Sequence, residues 1–196
     1  MNITIEYYNK NALDFYENTK NANMQQLYTF FLKYLDKGDK ILDLGCGSGR
    51  DTKYFLDNGY DVIALDASIE MVKLSSELTG KQTLHMTFND MYFENEFDGI
   101  WACASLLHVP RNEIDDVLLK IKRALKNNGI LFASFKYGDK EEFRNGRFFN
   151  YYEENSFREL LNKHKYFVLE ETLITADVRQ GREDEKWFSV ILRKIS

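Results

Sequence analysis

At 196 residues, 44% hydrophobic and 29% charged, the chain has the size and composition of one globular domain. Its formal net charge of −5 argues against tight non-specific binding to a nucleic-acid backbone, which asks for a basic face. No apolar run approaches the roughly 20 residues that span a bilayer, the first residues lack the pattern of a signal peptide, and Cys46 and Cys103 form no metal or disulfide framework, so a cytoplasmic setting is expected.

Tyr8, Ala12, Phe15 and Thr19 lie on one helical stripe, and Met24, Leu27, Tyr28, Phe31, Leu32 and Leu35 on another. Residues 40–44 form a short apolar run closed by glycines, which predicts a buried strand entering a turn. A helix through 53–56 stops at Asn58-Gly59. Residues 61–65 are the second strand, and a helix capped by Ser68 runs to Gly80. Residues 83–88 and 97–104 are the third and fourth strands. Ile114, Val117, Leu118, Ile121 and Leu125 define an amphipathic helix ended by Asn127-Asn128-Gly129, and 130–135 is the fifth strand. The alternation predicts right-handed βαβ units and a mostly parallel sheet. After a helix around 157–161, the apolar runs 167–174 and 187–192 are too close for a crossover helix and are expected to pair antiparallel. No linker or repeat divides the chain, so residues 1–196 are expected to be a single domain.

The segment Ile41-Leu42-Asp43-Leu44-Gly45-Cys46-Gly47-Ser48-Gly49-Arg50-Asp51 carries the most information. A strand stops, glycines make a tight turn, and a helix begins. Gly45 and Gly47 have no side chain to hold a ligand off the backbone, and the helix start offers free N–H groups. The spacing is G-x-G-x-G. The dinucleotide fingerprint G-x-G-x-x-G would need glycine where Arg50 stands, and the Gly-Lys-Ser/Thr end of a Walker loop is absent. Asp66 closes the second strand about twenty residues on, where an acidic residue in an open α/β sheet binds a ribose. The alternative for Asp66 is an ordinary helix N-terminal aspartate.

Residues 41–49 resemble the first motif of class I S-adenosylmethionine-dependent methyltransferases, and Leu65-Asp66-Ala67-Ser68 resembles the second. The run 98–110 looks like a bacterial subgroup of small methyltransferases, some labelled tellurite-resistance-like. The resemblance implies an α/β, Rossmann-like sheet of seven strands in the order 3-2-1-4-5-7-6, strand 7 antiparallel, with helices on both faces. It implies S-adenosylmethionine as cofactor and S-adenosylhomocysteine as product. Gly45, Gly47 and Gly49 would pass close to the cofactor's amino-acid part, with Asp43 orienting its ammonium group, often through water. Asp66, with Ala67 beside it, would take both ribose hydroxyls. Asn89, Asp90 and Met91 would flank adenine, Asp90 near the exocyclic amine and Met91 against the ring. Met71 would touch adenine from the other side or belong to the core. Residues 1–37 would form a helical cap over the cofactor, with Tyr8 and the Asn18-Thr19 region facing it, on a core of residues 38–196.

Three segments are expected beyond the carboxyl ends of the strands, facing the transferable methyl: 104–110, the polar and aromatic stretch 136–152 and the loop 176–185. The first begins with Ala104 and Ser105, which are also counted as cofactor contacts. His108 is the natural general-base candidate, the alternative being a wall of the pocket, and Tyr137 is the second candidate. Arg179 and Arg182 would bind an anionic substrate or be solvated loop charges. His85 and His164 have no company and are read as structural. The Asp/Asn-Pro-Pro-aromatic stretch of relatives that methylate base amines is absent, and no His/Cys cluster suggests a metal. The compact lid favours a small-molecule acceptor and makes nucleic acid and membrane unexpected partners. A monomer or homodimer is expected. An RNA or protein methyltransferase, a non-catalytic cofactor-binding subunit and a nicotinamide oxidoreductase remain as alternatives, the last disfavoured by the glycine spacing.

Overall fold

A computed structural model describes residues 2–179, 181–182 and 184–195. Helices α1 (Ile3–Lys10), α2 (Ala12–Thr19) and α3 (Gln25–Leu32) precede strand β1 (Lys40–Leu44). Then follow α4 (Arg50–Asp57), β2 (Asp61–Asp66), α5 (Ile69–Thr79), β3 (Leu84–His85), β4 (Phe97–Ala102), α6 (Ile114–Ala124) and β5 (Leu125–Lys136). The remainder is β6 (Glu141–Arg144), β7 (Arg147–Asn150), α7 (Glu154–Lys163), β8 (Phe167–Ala176) and β9 (Lys186–Lys194).

Seven strands form one sheet in the order β3-β2-β1-β4-β5-β9-β8. The first five pair in parallel, and β9 runs antiparallel to both β5 and β8. The fold is the Rossmann-like one expected, with the final hairpin as its antiparallel end. The strands bury alternate residues on opposite faces because their side-chain period is two. Leu42, Leu44, Ile100, Leu131 and Val190 join the core under α6 and α7. Ile41, Trp101, Phe132 and Ile191 join the core under α3 and α4, where Phe31 and Phe55 close over them. Trp101 and Phe132 stack there with centroids 4.0 Å apart. Gly99 makes room for this packing, since a Cβ on it would lie 2.7 Å from the Phe31 ring.

The main departures from the sequence expectation are these. The N-terminal stripe is two helices, not one, because Asn11 leaves helical geometry and turns its amide onto the Tyr7 carbonyl. The third strand is only Leu84–His85. Thr87 and Asp90 cap each other across a short 3₁₀ turn, Phe88–Asp90, and take the chain off the sheet. The fifth strand starts at Leu125, directly after α6, rather than beyond Gly129. Finally, the polar and aromatic stretch 136–152, to which no element was assigned, contains an antiparallel hairpin, β6–β7, turning at Asn145-Gly146, both with positive φ. Its arms carry no alternating burial pattern, with Phe143 exposed and both Phe149 and Asn150 buried, so no period of two marks them in the sequence.

Candidate active site

The carboxyl ends of β1, β2, β4 and β5 open into a cavity of about 420 Å³, where ligands of parallel α/β sheets bind. After β1 the backbone turns with Gly45 at φ +78° and Gly47 at φ +55°, the left-handed region that glycine enters without penalty. The Gly45 and Cys46 N–H groups both donate to the Leu65 carbonyl, which pins the turn to β2. A Cβ on Gly45 would meet Ser105 Cβ at 2.5 Å, so the turn is fitted against the segment after β4. A Cβ on Gly47 would find only the Phe15 ring, at 3.8 Å, and would otherwise stand in the cavity.

Asp66 ends β2 on the cavity wall. Its carboxylate accepts the Gly47 N–H at 2.9 Å and the Ser68 N–H at 2.8 Å. Burial raises its pKa against these backbone donors. Two oxygens with one fixed donor each keep accepting capacity for a vicinal diol. Ala67, Met71, Phe88 and Asn89 continue the wall, giving apolar faces and one amide toward a ring-bearing ligand. Across the sheet, Ala104 has a positive φ of 52° and donates its N–H to Ser134 Oγ at 2.8 Å. Ser105 donates its hydroxyl to the Leu44 carbonyl at 2.6 Å.

The other side of the cavity is built by α1, α2 and the β6–β7 hairpin. Phe148 N–H donates to Thr4 Oγ1 at 3.0 Å, and Ser68 donates its hydroxyl to Asn9 Oδ1 at 2.7 Å, so α1 joins the hairpin to the start of α5. His108 sits beneath it. Its Nδ1 is 2.6 Å from the Phe148 carbonyl, which can only accept, so Nδ1 carries the proton. Nε2 therefore accepts from the Tyr8 hydroxyl at 2.9 Å. Burial drives the imidazole pKa down to about 4, with a further push from Arg147. Both nitrogens are committed and the ring is neutral near pH 7. Between the unfolded value of about 6.5 and that folded value, falling pH charges His108 in the unfolded chain first and weakens folding. The His108 ring signals in an NMR titration should accordingly hold constant from pH 8 down to about pH 5. A transition near pH 6.5 would show that the burial and the two hydrogen bonds are misassigned.

Of the residues singled out in the sequence, Tyr8, Gly45, Gly47, Asp66, Ala67, Met71, Asn89, Ala104, Ser105, His108, Arg179 and Arg182 line this one cavity. Five do not. Asp43 lies behind the turn, 2% exposed, accepting the Thr52 hydroxyl at 2.6 Å, and burial beside Asp51 pushes its pKa up. Gly49 faces Ser75 on α5 and heads α4. Asp90 caps its own 3₁₀ turn. Met91 packs into the core, and the apolar side chain that this turn offers the cavity is Phe88. Tyr137 turns outward and donates to Glu154 Oε2 at 3.1 Å, so it is removed from the proton-transfer candidates. In the third segment, Gln180 and Glu183 lie outside the described residues.

Sequence reasoning missed the pair at the head of α4. Asp51 accepts from Tyr28 at 2.6 Å, from the Trp101 indole at 2.9 Å and from Arg50 Nε at 2.7 Å, and Arg50 reaches the Thr19 carbonyl at 3.3 Å. These bonds tie α2 and α3 to the glycine turn. The adjacent Arg50-Asp51 just past the glycines was the available signal. The second omission is a buried network at the end of β5. Lys136 pairs with Asp177 at 3.0 Å and with Glu185, while Asp177 also accepts from Arg179 and the Trp187 indole.

Residues 42–133 match the model of a methyltransferase domain. An uncharacterized methyltransferase of Geobacillus thermodenitrificans is 30% identical over 111 residues, covering 55% of this chain and 52% of that protein. A putative methyltransferase of Bacillus subtilis is 29% identical over 115 residues, covering 53% and 46% respectively. The chain thus spans about half the length of these curated relatives. Among solved structures, 1,6-didemethyltoxoflavin-N1-methyltransferase of Burkholderia thailandensis, with bound 1,6-didemethyltoxoflavin and S-adenosylhomocysteine, superposes with a TM-score of 0.83 at 21% identity. That match covers 99% of this chain and 88% of the other, and shows a common fold. The glycine turn, the terminal aspartate of β2, the strand order and these matches together support a class I S-adenosylmethionine-dependent methyltransferase.

Proposed function

We propose that this chain transfers the methyl group of S-adenosylmethionine to a small-molecule acceptor. The observation that carries the reading is the pairing of Gly47 with Asp66. A side-chain-free turn opens toward the cavity, and its own N–H group orients the carboxylate that would face a ribose. The residues present fit the cofactor. Asp66 would accept from the ribose hydroxyls, Gly45 and Gly47 would lie along the amino-acid part, and Met71, Phe88 and Asn89 would flank the base. The helices before residue 37 act as its cap, and the rest of the chain as its platform. When bound, the cofactor supplies an electrophilic methyl on a sulfonium.

The protein's own contribution is alignment and exclusion of water. Tyr8 and Phe15, in edge contact with centroids 5.3 Å apart, close the cavity above the glycine turn. His108 orients the Tyr8 hydroxyl and stays neutral, which makes it a positioning residue rather than a free base. A cavity of about 420 Å³ lies in the range of small-ligand sites, in keeping with a small acceptor. Cys46 and Cys103 are free thiols on its wall, which fits a reducing compartment.

The test is acceptor-dependent formation of S-adenosylhomocysteine by the purified protein. Cell extract is divided into small-molecule, RNA and protein fractions. Turnover with the small-molecule fraction is expected. Turnover confined to RNA or protein would overturn the acceptor class, and no turnover with any fraction would count against catalysis itself.

A further inference from the structure

The wall opposite the glycine turn carries Lys136, Arg144, Arg147, Arg179 and Arg182, in a chain whose net charge is negative. Four of these cations are answered within the protein. Arg179 grips Asp177 with Nε at 2.8 Å and an NH2 at 2.5 Å. Lys136 holds Asp177 and Glu185, Arg144 reaches Glu185 at 3.2 Å, and Arg182 approaches Glu185 at 3.9 Å. Glu113, also on the wall, makes no ion pair among the described residues.

Arg147 is different. No carboxylate pairs with it among the described residues. Its Nε is buried and without a hydrogen-bond partner, and its hydrogen-bond contact is a long one, 3.4 Å to the Tyr8 hydroxyl. Its Cζ stands 4.5 Å from the Tyr7 centroid, 5.1 Å from Phe149 and 5.7 Å from Tyr8. Three rings therefore hold the guanidinium in place without neutralising it. A buried donor left without a partner is costly, and a charge kept in a desolvated wall is tolerated when a partner completes it. A guanidinium fork matches two acceptor oxygens on one group. The surrounding wall, with Tyr8, Phe149, Tyr151 and Trp187, suits a flat body.

We infer that the acceptor is a small ring-bearing anion whose carboxylate or phosphate group pairs with Arg147. This assignment rests on the methyltransferase reading for calling the ligand an acceptor. It moves the anion site from Arg179 and Arg182, which are occupied by Asp177 and Glu185, to the start of β7.

The experiment uses benzoate and phenyl phosphate, with benzamide as the neutral counterpart, titrated into the whole chain with and without S-adenosylhomocysteine. The wild type should bind at least one of the two anions about tenfold or more tightly than benzamide. Arg147→Gln should erase that preference while S-adenosylhomocysteine still binds and circular dichroism shows the fold intact. Arg147→Lys, which keeps charge but not the fork, should retain part of it and guards against a folding defect in the first variant. Equal binding of benzamide and both anions to the wild type, or an anion preference that survives Arg147→Gln, overturns the proposal. Anion preference without S-adenosylhomocysteine binding would instead sink the cofactor reading and leave the anion site standing.

Discussion

Asp66→Ala should bind S-adenosylhomocysteine about a hundredfold or more weakly than the wild type, with the fold intact. The carboxylate is the acceptor that the β2 terminus presents to the cavity, and it is held by two backbone donors, from Gly47 and Ser68. Hydrogen bonds to a charged group contribute about 1.5–3 kcal/mol each, so losing two to a ribose removes about 3–6 kcal/mol and a factor of about 10² to 10⁴. The truncation also frees the Gly47 N–H, loosening the turn that the ligand follows. Asp66→Asn keeps the shape and one acceptor oxygen and should fall between. Calorimetric titration gives the affinities, and circular dichroism confirms the fold. Affinity for Asp66→Ala within about threefold of the wild type would mean that the ligand does not touch the end of β2.

The largest stability effect is expected at Asp177. It is 5% exposed and accepts from Lys136, from the Arg179 side chain and backbone, and from the Trp187 indole. Asp177→Ala leaves Lys136, itself 6% exposed, with Glu185 alone and strands the indole N–H. Removing one partner of a buried pair costs about 3–5 kcal/mol, which urea denaturation at pH 7 should read directly. The pH dependence has a definite sign. Against the cost of burial, the bonds from Arg179, Trp187 and Lys136 hold this carboxyl well below the usual range. A depressed acid stabilises the fold above its unfolded value of about 3.9, and the benefit fades as pH falls below that. The gap between wild type and Asp177→Ala should therefore narrow from pH 7 to pH 3. A gap independent of pH would make the defect one of packing rather than charge.

The central sheet was legible because β1, β2 and residues 130–135 of β5 are largely apolar runs, with β1 and β2 ended by Gly45 and Asp66. The glycine turn and the end of β2 were legible for the same reason. Gly45, Gly47 and Asp66 are placed on the cavity wall by the backbone and by strand ends, which sequence locates well. What escaped depends on long-range contacts. Met91 and Phe88 are three residues apart, and only the 3₁₀ turn capped by Thr87 and Asp90 decides which of them faces the cavity. Tyr137 and Lys136 are neighbours at the end of β5, and strand alternation sends one outward to Glu154 and the other inward to Asp177. The β6–β7 hairpin was hidden because its arms are four residues each, too short for periodicity. Arg147 and Arg179 look equivalent in sequence. Asp177, two residues from Arg179, is what makes them different.

The most direct test of the central claim is calorimetric titration of the whole chain with S-adenosylmethionine, S-adenosylhomocysteine and NADH. One-to-one binding of the two adenosyl sulfur compounds, with no heat from NADH, is the expected result. Binding of NADH with neither of the others would contradict it, and would mean that the turn from Gly45 to Gly49 serves a pyrophosphate after all.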